Sequence, residues 1–215
     1  MTGTFAVFDI RNFFSPTKRV LPPLLLVVVA AVVTPWPAFA IGTAAIAMSL
    51  LAANPFAADE RGRLDTLYST LPVSRRGVVV GRYLALLAVY VLVAALATVV
   101  AIVVPLVRGG EIAFELLAPV NVASFVVFCV AVAVQLPFFF GLGFTRARPM
   151  MYLPIAVLIG AFYLASQTGL LDRVDPLAVA SANPVGLAFA GVGGALVALV
   201  VSAAVSVSRY GRRSL

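Results

Sequence analysis

A series of apolar runs constrains this chain more than any other feature: residues 20–53, 83–107, 116–140, 149–168 and 185–207. Crossing about 30 Å of hydrocarbon takes about 20 helical residues, and most of the runs are that long. In lipid, backbone polar groups must be satisfied within the spanning structure, which leaves helices and closed barrels. Barrel strands alternate apolar and polar residues, whereas these runs are continuous. Charged residues make up only 11% of the chain, against about 25% in soluble domains. The expected fold is an all-α integral membrane protein.

The first run, Val20–Ala53, holds 34 residues and would be about 50 Å long as one helix, more than a single tilted crossing accommodates. Pro35-Trp36-Pro37 interrupts it, and two prolines so close do not both continue a helix. Two helices joined at a Trp-bearing turn are expected, with the Trp at the interface it favours. The first borrows Pro16–Arg19, with Lys18 and Arg19 reaching out to the headgroups.

Charge then sets the topology. Arg11, Lys18 and Arg19 precede this run, and Arg61, Arg63, Arg75, Arg76 and Arg82 follow it. Basic flanks mark the cytoplasmic side, so an even number of crossings lies between them. One crossing per remaining run adds Arg146, Arg148, Arg209, Arg212 and Arg213 to that side. Arg108 and Arg173 stay outside, among Glu111, Glu115, Asp172 and Asp175. Thirteen basic residues inside against two outside is the result. The expectation is one domain, 1–215, of six transmembrane helices with both termini cytoplasmic. The spans fall roughly at 17–35, 37–55, 80–107, 117–140, 149–168 and 185–208. A rival reading takes Lys18-Arg19, an apolar core and Ala38-Phe39-Ala40 as a secretory signal. Against it, the leading region is 19 residues long and contains Phe5, Phe8, Phe13 and Phe14. Its removal would also unbalance the charges.

Composition works by exclusion. The chain has no histidine, so no His base, His ligand or Ser–His dyad exists. The single cysteine, Cys129, excludes an internal disulfide and a CxxC metal site. The single lysine, Lys18, has no GxxxxGK[ST] before it, so no phosphate-binding P-loop is encoded. The net charge of +7 follows from topology, and no aromatic-interleaved basic patch suggests nucleic acid. The expected hydrocarbon regions contain no Asp, Glu, Lys, Arg or His; Asn54, Tyr90, Thr98, Ser124 and Gln135 are the polar residues on hand. Ion-coupled carriers ordinarily bury ionisable groups there, although coupling through backbone carbonyls needs none. Intramembrane enzymes need paired carboxylates or an activated nucleophile, and channels need a charged ring or a filter. If this chain moves something uphill, the work arrives from elsewhere.

The last run carries small residues at four-residue spacing: Gly186, Ala190, Gly194, Ala198, Ser202 and Ser206. Small residues let helices approach closely in lipid. The row reads either as packing within the chain or as a contact between subunits.

The longest polar stretch is DERGRLDTLYSTLPVSRR, Asp59 to Arg76. Leu64, Leu67, Tyr68 and Leu71 recur at the spacing of one helix face. Asp59 stands four residues before Arg63, the favourable order for a helical ion pair. Gly62 weakens the first turn, and Pro72 stops the helix. Ser74 is placed to cap the next one, which begins with Arg75 and Arg76. Two readings stand for this loop. One is an interfacial helix seated among lipid headgroups. The other is a docking element for a cytoplasmic partner, favoured by the balanced charge of Asp59–Asp65 and the rigid proline tie to a transmembrane helix.

The run FAADERGRLDTLYSTLPVSRRGVVVGRYL, Phe56–Leu84, resembles the cytoplasmic signature of ABC-2 type ABC transporter permeases. There an acidic start, a Leu-Pro-Val/Ile-Ser-Arg core and a basic-aromatic helix start lie between spans two and three. FAVFDIRNFF near the N-terminus is similar to the family's amphipathic elbow helix. LPFFFGLGFTRAR after the fourth span and the tail SRYGRRSL are also similar. Arg82 stands where the family often has lysine.

The resemblance implies a six-helix subunit of a bacterial inner-membrane exporter, paired with a second permease as homodimer or heterodimer. Two copies of a separate cytoplasmic ATPase bind ATP and Mg; this chain holds no cofactor and is not an enzyme. The region 56–76 becomes a coupling helix seated in the ATPase. Asp59, Glu60, Arg63 and Asp65 make polar contacts there, Leu64, Leu67 and Leu71 are buried, and Pro72, Ser74, Arg75 and Arg76 carry the motion. Hydrophobic or amphipathic cargo is implied: a peptide, an antibiotic or a lipophilic drug. The alternative is a membrane assembly or scaffold protein with no transport cycle.

Overall fold

The computed structural model describes residues 17–34, 36, 38–62, 74–110, 112, 114–169 and 183–212. Among these every regular element is helical: α1 Thr17–Val33, α2 Phe39–Leu51, α3 Asn54–Gly62, α4 Arg75–Arg108, α5 Phe114–Leu142, α6 Phe144–Ala147, a 3-10 turn Arg148–Met151, α7 Leu153–Gln167 and α8 Pro184–Arg212. The all-helical expectation holds. Five stretches are long and apolar enough to cross a membrane: Phe39–Gly62, Arg75–Arg108, Phe114–Leu142, Phe144–Gln167 and Pro184–Gly211. The first expected span corresponds to α1, whose 17 residues reach only about 25 Å. The elbow at the N-terminus lies outside the described residues.

The expected break around Trp36 is present, with α1 ending at Val33 and α2 starting at Phe39. Beyond α2 the chain continues as α3 to Gly62. Pro55 has no N–H to offer the carbonyl of Leu51, and that missing bond separates α2 from α3. The chain nonetheless stays helical, with the N–H of Ala57 bonded to the carbonyl of Ala53 at 3.1 Å. Residues 56–62, read from sequence as the start of a coupling helix, therefore extend the second apolar stretch.

Helix α4 shows how local sequence fixes its ends. The Ser74 hydroxyl accepts the N–H of Gly77 at 3.1 Å, as expected for an N-cap. At the other end Gly109 adopts φ 68, and the Gly110 N–H reaches back to the carbonyl of Pro105 at 2.9 Å. That closes the helix with a left-handed residue that glycine supplies without strain.

Helix α5 is the hub. It packs against α2 and, most extensively, against α8, while α4 packs against α2 and α8. Ile41, Met48, Leu86, Phe128, Leu136 and Phe139 fill the space between them. Tyr90 stacks on Phe128 at 4.1 Å between ring centres, nearly parallel. Polar ties cross the same core. Ser124 donates to the carbonyl of Ile41 at 2.6 Å, and Ser202 to that of Ala133 at 2.6 Å. The Tyr83 hydroxyl lies 2.6 Å from that of Ser202 and 2.9 Å from that of Ser206. Val91, Leu96 and Val107 on α4 and Val197 and Val200 on α8 face outward. Apolar side chains so exposed suit a lipid surroundings rather than water.

The small-residue row of α8 divides. Ser202 and Ser206 are buried, whereas Ala190 and Gly194 are exposed. A step of four residues advances about 400° around a helix, so the row drifts by about 40° each time. By its N-terminal half it has left the packed face, which passes to Gly191 and Ala195. Space is tight there: a Cβ on Gly191 would lie 3.3 Å from Cγ2 of Val126 on α5.

Candidate functional site

The described residues stop at Gly62 and resume at Ser74, and the structure ties both flanks of the polar stretch into other helices. On the leaving side, α3 places Phe56, Asp59 and Glu60 within little more than one turn. Asp59 is only 6% exposed. A carboxylate so deep needs a compensating charge, and Arg82 supplies it, with Nη1 2.7 Å from Oδ2. Arg82 itself is 1% exposed, two turns inside α4. Its guanidinium lies 4.6 Å over the ring of Phe56, an arrangement in which the cation meets the negative face of the ring.

Phe56 is the edge of an aromatic cluster. It stacks on Phe139 at 5.2 Å and meets Phe140 edge-on at 4.9 Å. Phe140 meets Tyr210 of α8 at 5.5 Å, and Phe139 meets Phe144 of α6 at 6.4 Å. Between the ion pair and these rings is a cavity of about 20 Å³, room for one water molecule.

Glu60 turns the other way. Its Oε2 accepts the backbone N–H of Thr145 at 3.1 Å, and its Oε1 accepts the Thr145 hydroxyl. Thr145 lies in the first turn of α6, where an acid meets unbonded amide groups. Gly143, at φ 80 and ψ 170, makes the turn from α5 that presents them.

On the returning side, Ser74 caps α4, and Arg75 spans to α8. Its Nη1 donates to the carbonyl of Gly211 at 2.8 Å and to that of Tyr210 at 3.3 Å. Those carbonyls, in the last turn of α8, lack helical donors. Arg76 is exposed. The loop's two ends are thus clamped to α4, to α6 and to α8.

Of the residues singled out in the sequence, Asp59, Glu60, Ser74, Arg75 and Arg76 come together at this end of the bundle. Arg63, Leu64, Asp65, Leu67, Leu71 and Pro72 lie outside the described residues, and so does the expected Asp59–Arg63 pair. Asp59 and Arg82 lie outside the apolar runs read from the sequence but on the helical stretches that carry those runs, Phe39–Gly62 and Arg75–Arg108. Sequence reading missed Arg82, Phe56 and Thr145. Charge counting treats every arginine beside a span as facing headgroups, whereas α4 begins two turns earlier and carries Arg82 into the bundle. Among the described residues no three His, Cys, Asp or Glu side chains group as a metal site.

Five helical stretches long and apolar enough to cross a membrane, packed around α5, define a multi-pass membrane protein. Residues 10–211 match the model of the ABC-2 family transporter proteins, and the chain belongs to that family. It is an ABC-2 type transport permease, of a family whose membrane subunits are generally non-catalytic and associate with an ABC ATPase. No curated protein and no solved structure matches the chain.

Proposed function

We propose that this chain is the membrane-spanning subunit of an ATP-driven exporter in a bacterial inner membrane. Six crossings, α1 included, leave both termini in the cytoplasm. Two copies of a separate cytoplasmic ATPase bind the ATP and Mg, and a second permease completes the pathway. Residues 56–76 form the coupling region. Leu64, Leu67 and Leu71 seat in the ATPase, Arg63 and Asp65 contact it at the rim, and Pro72 to Arg76 return the motion to α4. Asp59 and Glu60, expected from the resemblance to contact the ATPase, instead hold the root of this region, Asp59 to Arg82 of α4 and Glu60 to Thr145 of α6. The cargo is hydrophobic or amphipathic, in keeping with the apolar residues exposed along the middle of α4 and α8.

The observation that carries this reading is the clamping of both loop ends. A loop seated only among lipid headgroups needs no ion pair buried at its root. A loop that takes a mechanical push needs fixed ends, so that displacement passes into the helices instead of being absorbed by slack. Membership of the ABC-2 family supplies the class of partner that pushes.

Purification from native membranes in mild detergent tests this. An ATPase of vanadate-sensitive activity is expected to copurify with the chain. A scaffold protein would come without one, and that result would sink the exporter reading.

A further inference from the structure

We infer that the Asp59–Arg82 pair is a positioning joint: it converts displacement of the coupling region into movement of α4, and is not there for stability. The inference rests on the exporter reading.

Energetics point away from stability. Two ions taken out of water lose more solvation than their attraction reliably returns, and an apolar pair of similar volume holds helices together as well or better. What an ion pair adds is direction. Grease slides, whereas a 2.7 Å contact under a 4.6 Å ring contact fixes the height of α3 against α4. Phe56 and Asp59, three residues apart on one helix face, grip the guanidinium from two sides. Arg82 is therefore tied to the first turns that a push on the loop would reach.

Position supplies the lever. From Arg75 to Arg108, α4 is one helix of 34 residues, about 50 Å long. Its far end is engaged too, since Arg108 donates to the carbonyl of Val32 at the end of α1. Movement imposed at Arg82 thus emerges at the opposite end of the bundle. The water-sized cavity beside the pair, bounded by Phe56, Phe139, Phe140 and Tyr210, leaves room for the side chains to shift, which a close-packed interior denies.

The test uses the complex with its copurified ATPase in lipid nanodiscs, in a Cys129→Ala background. Nitroxide labels go on Val107→Cys and Phe189→Cys, exposed positions near the far ends of α4 and α8. The distance between them is measured before and after trapping with ATP and vanadate. The unaltered pair is expected to give a distance change on trapping. The double variant Asp59→Leu/Arg82→Met is expected to stay assembled and hydrolyse ATP but lose that change. The exchange Asp59→Arg/Arg82→Asp is expected to recover at least part of it. A full-sized change in the Leu/Met variant overturns the inference, as does no change in the unaltered protein while ATP is hydrolysed. If the Leu/Met variant fails to assemble, Arg82→Lys is read the same way. It keeps the charge and loses the planar fork, so a diminished change supports the joint and a full-sized one overturns it. Absence of any copurifying ATPase removes the exporter reading, and this inference with it.

Discussion

Arg75 and Gly211 are 136 residues apart, yet the Arg75 guanidinium donates to the Gly211 carbonyl at 2.8 Å. The contact joins the first residue of α4 to the last turn of α8, and the last carbonyls of a helix attract a cation. Replacing Arg75 with alanine removes the donor where water can substitute, so global stability changes little. The local effect is fraying of α8. Amide exchange over residues 205–211 is expected to rise about fivefold, equivalent to about 1 kcal/mol, with the rest of the helix unchanged. Unaltered exchange at those amides would show that the contact holds nothing.

Tyr83 shares its hydroxyl with Ser202 and Ser206, and Ser202 passes the chain on to the carbonyl of Ala133. One phenol therefore connects α4, α8 and α5. Hydrogen bonds between helices in membranes average about 0.6 kcal/mol, so Tyr83→Phe is expected to cost about 1 kcal/mol in detergent unfolding. Ser206→Ala removes only one bond and is expected to cost about half as much. Equal losses for the two variants would show that the hydroxyl is not shared.

Gly143 joins α5 to α6 with φ 80 and ψ 170, a conformation open essentially to glycine alone. An alanine there strains the backbone by about 1–3 kcal/mol or forces the turn to re-form. The second route moves Thr145 away from Glu60. Gly143→Ala is expected to lower the thermal midpoint, whereas Gly42→Ala, a helical site with open space around it, is expected to raise or preserve it. A Gly143→Ala variant as stable as the parent would refute the strained turn.

Hydropathy and local chemistry made much of the fold readable in advance. The helices stand where the apolar runs lie, and Ser74 caps α4 because a cap depends on a handful of neighbouring atoms. The site was legible only where it is local in this sense. Asp59 and Arg82 are separated by 23 residues and a polar loop, and nothing in either neighbourhood tells an arginine reaching for headgroups from one turned inward. The drift of the small-residue row on α8 was computable, being helical geometry. Which part of it packs depended on α5, through Val126 at Gly191, and no periodicity within α8 contains that.

Leu67 tests the docking face itself. On the exporter reading its side chain is buried in the ATPase, where a leucine contributes about 1.5–3 kcal/mol. An aspartate there forfeits that and adds an unpaired carboxylate at the contact. Leu67→Asp is thus expected to lower the amount of ATPase recovered with the chain by at least about tenfold, about 1.4 kcal/mol. Insertion is expected to be unchanged, because residue 67 lies outside the apolar runs of the sequence. Leu71→Asp is expected to behave alike, and Ser69→Cys to react with a membrane-impermeant maleimide only once cells are opened. Full ATPase recovery with both aspartate variants, or labelling of Ser69→Cys in intact cells, would mean that this loop faces something other than the ATPase.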